Sequence, residues 1–132
     1  MRLPICGMIA GALLVLAQPA AADDADTCSK ASGDVAIASC SRAIASMTYS
    51  GHLLAVLYNN RGAKFQRKGD ADLAIADYTE AIRLDPKYAN AYYNRGLTWE
   101  IKGKKDSAIA DHIEADRLGN ANAAARLNAL GR

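Results

Sequence analysis

Residues 58–84 read YNNRGAKFQRKGDADLAIADYTEAIRL, and residues 92–118 read YYNRGLTWEIKGKKDSAIADHIEADRL. Over the slightly wider windows 55–84 and 89–118, 16 of 30 positions are identical at a shift of 34. The identities include Asn60-Arg61-Gly62 with Asn94-Arg95-Gly96, Lys68-Gly69 with Lys102-Gly103, and Ala74 to Asp77 with Ala108 to Asp111. A fixed period of this size marks stacked supersecondary units, none of which buries its own apolar face unaided. The repeat implies binding as the class of work and does not specify the bound species.

Each copy reads as a helical hairpin. Leu54, Leu57, Tyr58, Gly62 and Phe65 recur at helical spacing, and Leu73, Ala74, Ile75, Tyr78, Ala81 and Ile82 give a second apolar face. Between them, Gly69 supplies the positive φ of a helix stop, and Asp70 is expected to accept bonds from the free amides of the next helix. Asp85-Pro86 ends the hairpin. The second copy repeats this with Tyr92, Gly96 and Trp99, then Gly103, then Ala108, Ile109, Ile113 and Ala115. Helices are expected near 52–68, 71–84, 88–102 and 105–118.

The order of residue types resembles the tetratricopeptide (TPR) repeat. A large residue, Gly, an aromatic, Ala, an aromatic, Ala and Pro fall at Tyr58, Gly62, Phe65, Ala74, Tyr78, Ala81 and Pro86. The second copy runs Tyr92, Gly96, Trp99, Ala108, His112 and Ala115. It departs at His112, an aromatic position, and at Asn120, where Pro would stand, as suits a final repeat before a capping helix. Ala123, Leu127 and Leu130 place that cap at 121–130. Upstream lies a weaker copy, in which Ala36-Ile37, Cys40 and Ala43-Ile44 overlie Ala74-Ile75, Tyr78 and Ala81-Ile82 at an offset of 38. Its helices are expected at about 25–31 and 34–47. The resemblance implies an all-α fold: about two and a half antiparallel helix pairs in a short right-handed solenoid. The units are a partial repeat 25–48, a repeat 55–88, a repeat 89–122 and the cap.

Residues 1–22 read as a secretory signal peptide. Arg2 precedes a charge-free apolar run from Ile5 to Ala17, and Pro19-Ala20-Ala21-Ala22 offers small residues for cleavage after Ala22. The run is shorter than the roughly 20 residues a membrane span needs, which argues against a retained anchor. The TPR domain is then 23–132. Loss of Arg2 from the 16 basic residues leaves a net charge of +1 against 14 acidic ones. That balance lacks the basic field of a nucleic-acid binder, and Lys102, Lys104 and Lys105 read as a solvated turn. A periplasmic or secreted location is expected, with no membrane insertion after cleavage.

Two cysteines remain after cleavage, Cys28 and Cys40, an even number in a disulfide-permissive compartment. A zinc or redox pair is the competing reading, but CxxC spacing is missing and no His lies near. Within the truncated first unit, the bond would staple the short helix to its partner, taking the place that Tyr78 fills in the next. Closing so short a loop stabilises by about 3 kcal/mol.

Nothing in the chain composes a catalytic site, a metal set or a cofactor box. His52 and His112 lack acidic or Cys neighbours at ligand spacing, Ser39 and Ser41 lack a nucleophile elbow, and Asp23, Asp24 and Asp26 lack the calcium-loop pattern. Arg61 and Arg95 tempt a carboxylate-binding reading, yet each has an Asp 16 residues later, Asp77 or Asp111, which favours pairs inside each hairpin. By the TPR resemblance, the first helix of each pair lines a concave groove. That places Asn59, Asn60, Ala63, Gln66, Arg67, Tyr93, Asn94 and Leu97 on a partner-binding face. Asn60 and Asn94 echo the Asn pair of chaperone-binding members, without the basic partners of their clamp. The expected function is a non-enzymatic interaction module of the cell envelope that holds a peptide segment or protein surface. The alternatives are a self-assembling homo-oligomer or a regulatory subunit of an envelope enzyme.

Overall fold

The computed structural model describes residues 20–131. Among them are seven helices and no strand: α1 (Ala20–Lys30), α2 (Gly33–Ala45), α3 (Gly51–Lys68), α4 (Ala71–Leu84), α5 (Ala89–Ile101), α6 (Lys105–Arg117) and α7 (Ala123–Ala129). They pair as α1/α2, α3/α4 and α5/α6, each pair packs on the next, and α7 rests on α6. Helices α1, α3 and α5 lie side by side as one layer. This is the solenoid of antiparallel pairs that the repeat implies. All but the last three residues of the expected signal peptide lie outside the described residues.

The turns close by one device used three times. Gly69, Gly103 and Gly119 sit at positive φ, and the residue after each donates its amide to a carbonyl of the preceding helix: Asp70 to Phe65, Lys104 to Trp99, Asn120 to Ala115. This paired closure satisfies carbonyls that a helix end would otherwise leave free. Asp70 stands at the N-cap of α4, but its side chain makes no cap bond there, contrary to expectation. Its backbone carbonyl accepts the Ala74 amide instead.

Helix ends shift by one or two residues in several places, and most at α1. Helix α1 already spans Ala20 at the first described residue rather than beginning near 25, because Ala20-Ala21-Ala22 are strong helix formers. The C-terminal helix keeps only Ala123–Ala129 of the expected 121–130. Among the described residues no helix is long and apolar enough to cross a membrane.

The buried positions recur in all three second helices. Ala36, Ser39, Cys40 and Ala43 in α2 match Ala74, Asp77, Tyr78 and Ala81 in α4, and Ala108, Asp111, His112 and Ala115 in α6. Small residues dominate, so the helices approach closely. A Cβ on Gly62 would lie 2.8 Å from Tyr78 Cε1, and one on Gly96 would lie 2.7 Å from His112 Cε1. Cys28 stands 34 residues before Gly62, and it is disulfide-bonded to Cys40. The disulfide therefore occupies the contact that glycine and ring make in the later units. First helices align at 34 and the second helices α2 and α4 at 38, so the first hairpin lacks four residues at its turn. Four residues are close to one helical turn, which shortens α1 without rotating its buried face.

Candidate functional site

The polar residues of each hairpin have structural partners before any ligand is considered. Arg61 donates Nε and Nη2 to the two carboxylate oxygens of Asp77 at 2.7 and 2.8 Å. Its Nη1 reaches Ser41 in the preceding unit at 3.0 Å. Arg95 repeats this with Asp111 at 2.7 Å twice and with Thr79 at 3.1 Å. The hydrogen bonds with Asp77 raise the Arg61 guanidinium above its ordinary value despite burial. The intra-hairpin pairing expected from spacing is present. Each Arg also acts as a rivet to the hairpin before it, a role that repeat spacing alone does not reveal.

Along the layer of α1, α3 and α5, the expected groove residues divide into two sets. Asn59 is buried, and its Oδ1 accepts the Asn94 amide at 3.0 Å, so these two tie α3 to α5. Gln66 Oε1 accepts the Tyr78 hydroxyl at 2.8 Å and the Thr98 hydroxyl at 3.1 Å. Asn59 and Gln66 were expected to offer polar groups to a partner; the structure engages those groups in the framework, because the first helices pack against one another. Asn60, Ala63, Tyr93 and Leu97 remain half-buried, and Arg67 is exposed. Tyr93 leans on the His112 ring with centroids 5.4 Å apart.

Ile101, 66 % exposed, was missed from the sequence. It follows Tyr93 and Leu97 at i+4 steps, a spacing that puts all three on one stripe of α5. The corresponding positions of α3 are Asn59, Ala63 and Arg67, so the face is apolar on α5 and polar to cationic on α3. Arg67 also lines a depression of about 380 Å³ with Ser32, Gly33, Asp34, Lys64 and Lys68. It opens where α1 is one turn short. Lys64 closes its floor by donating Nζ to the Ala31 carbonyl at 2.7 Å. Burial, with Arg67 nearby, holds the Lys64 ammonium below its usual range. Among the described residues no cluster of His, Cys, Asp and Glu has the grouping a metal requires.

The family model described as TPR repeat matches residues 62–100, the span from Gly62 of one hairpin into α5 of the next. The matched span is similar to a TPR repeat, and the fold is that of TPR domains. No curated protein matches it. Among solved structures, the first TPR of Spaghetti (RPAP3), bound to the HSP90 peptide SRMEEVD, superposes with a TM-score of 0.66 at 25% identity over 74% of this chain and 75% of that one. The second TPR domain of human RPAP3, in complex with the HSP70 peptide SGPTIEEVD, gives 0.64 at 29% identity over 74% and 79%. The Arabidopsis OM64 TPR domain gives 0.67 at 28% identity over 73% and 78%. TPR domains mediate protein–protein interaction, and two of these neighbours hold peptides.

Proposed function

We propose that the mature chain is a non-enzymatic binding module of the cell envelope that holds a peptide segment or protein surface along α3 and α5. One observation carries this reading. The α5 stripe of Tyr93, Leu97 and Ile101 leaves apolar surface open to solvent beside a framework whose polar groups are already engaged. Apolar stripes of this kind anchor side chains of a partner. On α3, Arg67 and Asn60 supply charge and hydrogen bonding. Two structural relatives are described with peptides bound, which supports a peptide-sized occupant. The charge-free apolar run from Ile5 to Ala17, preceded by Arg2, supports export.

Selection of peptides from a displayed library with the mature chain tests the proposal. Sequences that bind the parent and lose at least tenfold in affinity to both Tyr93→Ala and Leu97→Ala support it. Peptides indifferent to both variants, with helicity unchanged, refute the groove. Asn94 is unsuitable for this test, since its removal strips buried Asn59 of its partner. Recovery of only the chain itself would transfer the same face to self-assembly.

A further inference from the structure

Equivalent positions of the two full repeats hold the same buried contact with different chemistry. In the first, Tyr78 donates its hydroxyl to Gln66. At a spacing of 34, His112 Nε2 lies 2.8 Å from Glu100 Oε1. A neutral phenol–amide pair has become an imidazole–carboxylate pair. His112 is fully buried, its Nδ1 has no partner among the described residues, and Gly96 presses on its ring. Glu100 also accepts two bonds from Arg126 of α7. One carboxylate thus joins α5, α6 and α7.

Helix α7 has little else to hold it. Ala123 is its single buried residue, and Asn120, bonded to Asn90 at 2.9 Å, pins only its approach. The titratable and charged groups around the pair are Tyr93 on α5, Arg126 on α7, and Asp111 and Lys105 on α6. Asp111 is held by Arg95, and Lys105 lines a 190 Å³ depression with Glu100, Gly103 and Leu130.

We propose that Glu100 is a charge-dependent latch: ionised, it holds α7 down and fixes the His112–Tyr93 stack, and protonated, it releases both. A neutral carboxyl offers Arg126 no counter-charge, and the guanidinium prefers water. Burial works to raise the Glu100 carboxyl, but the hydrogen bonds from Arg126 and His112 outweigh it and hold the group below the usual carboxylate range. A depressed folded value means that the latch is fully closed above the unfolded value of about 4.3. It opens as pH falls through the folded one. The Tyr93 arm rests on the groove reading, whereas the α7 arm does not.

Nuclear magnetic resonance of the full chain, titrated downward from pH 7, tests the latch without any peptide. Failure of the groove reading therefore leaves the result intact. The expected result is loss of helical shifts across Ala123–Ala129 below about pH 4.3 while α3 and α4 keep theirs, with the Tyr93 ring signals moving in step. Glu100→Gln and Arg126→Met should each release α7 at pH 7. Helix α7 persisting until α3 melts, or staying docked at pH 7 in either variant, overturns the proposal. Release of α7 with Tyr93 unmoved overturns its groove arm.

Discussion

Arg61 grips Asp77 with two parallel bonds while its third nitrogen reaches Ser41 one hairpin away. Asp77 is only 8% exposed at its side chain, so removing the guanidinium strands a buried carboxylate. Arg61→Ala should cost about 3 kcal/mol, the scale for breaking one side of a buried pair. Asp77→Asn with Arg61→Ala together should cost less than the sum. Urea unfolding of the two single variants and the double one gives the coupling directly. An Arg61→Ala loss within the range of exposed pairs, below about 1 kcal/mol, would contradict the rivet.

Gly62 and Gly96 face buried rings at distances no Cβ tolerates. Alanine gains about 1 kcal/mol in helix propensity, whereas forcing apart a packed core costs about 1–3 kcal/mol. Tyr78 and His112 are fully buried and have no open side to move toward, so the clash wins. Gly62→Ala and Gly96→Ala should both lower the thermal midpoint, while Ala63→Gly, on the half-buried face, should lower it through propensity alone.

The Cys28–Cys40 bond closes a short loop, with a sequence separation of 12. Cys28→Ala with Cys40→Ala should destabilise the chain by about 3 kcal/mol, and hydrogen exchange should rise first in α1 and α2. Free-thiol titration of unfolded, unreduced mature protein is expected to find none.

Asp85 accepts a bond at 2.6 Å from His52 Nδ1 on α3 and another from the Lys87 amide. The His52 contact first, then the amide, holds its carboxyl below the usual range against some burial. Its contribution is therefore complete above the unfolded value of about 3.9 and disappears as pH falls through the folded one. Asp85→Asn should lower the thermal midpoint at pH 7, and the gap to the parent should narrow as pH falls below about 3.9. A constant gap would remove Asp85 from the acid response.

Export requires that the chain recovered from cells begin at Asp23. Mass spectrometry of protein from an envelope fraction should show that start, and an intact Met1 in that fraction would refute cleavage. Asp24, next to the new terminus, still pairs with Arg42 at 2.6 Å, so cutting after Ala22 keeps α1 tied to α2.

The hairpins were legible because periodicity and glycine stops are local properties, and the Arg–Asp pairs followed from a spacing repeated in both copies. What crossed between units was not legible. Asn59 reads as a surface amide until Asn94 is seen to lie against it, and Gln66 until Tyr78 and Thr98 converge on its oxygen. Ser41 and Thr79 share a role only once the 38-residue offset of the first unit is combined with the 34-residue offset of the second. His112 was visible as a departure from an aromatic pattern, but its carboxylate partner was not. That pairing depends on Glu100 occupying the place of Gln66, a change of one charge within a conserved shape. Ile101 was within reach of the i, i+4, i+8 spacing on α5.

Arg61 reaches back to Ser41 and Arg95 to Thr79, Lys68 reaches back to Asp34, Lys102 to Asp72 and Asn94 to Asn59. In every case the later hairpin finds its partner in a segment that has already been made. A chain delivered amino end first, from the ribosome or through a translocation channel, can therefore assemble each hairpin onto a finished template. Between one hairpin and the next, no buried charge waits for sequence still to come; only Glu100 awaits a later segment, Arg126 of α7. The direction of these bonds gives the molecule a built-in order of assembly, with the disulfide-closed first unit as its seed.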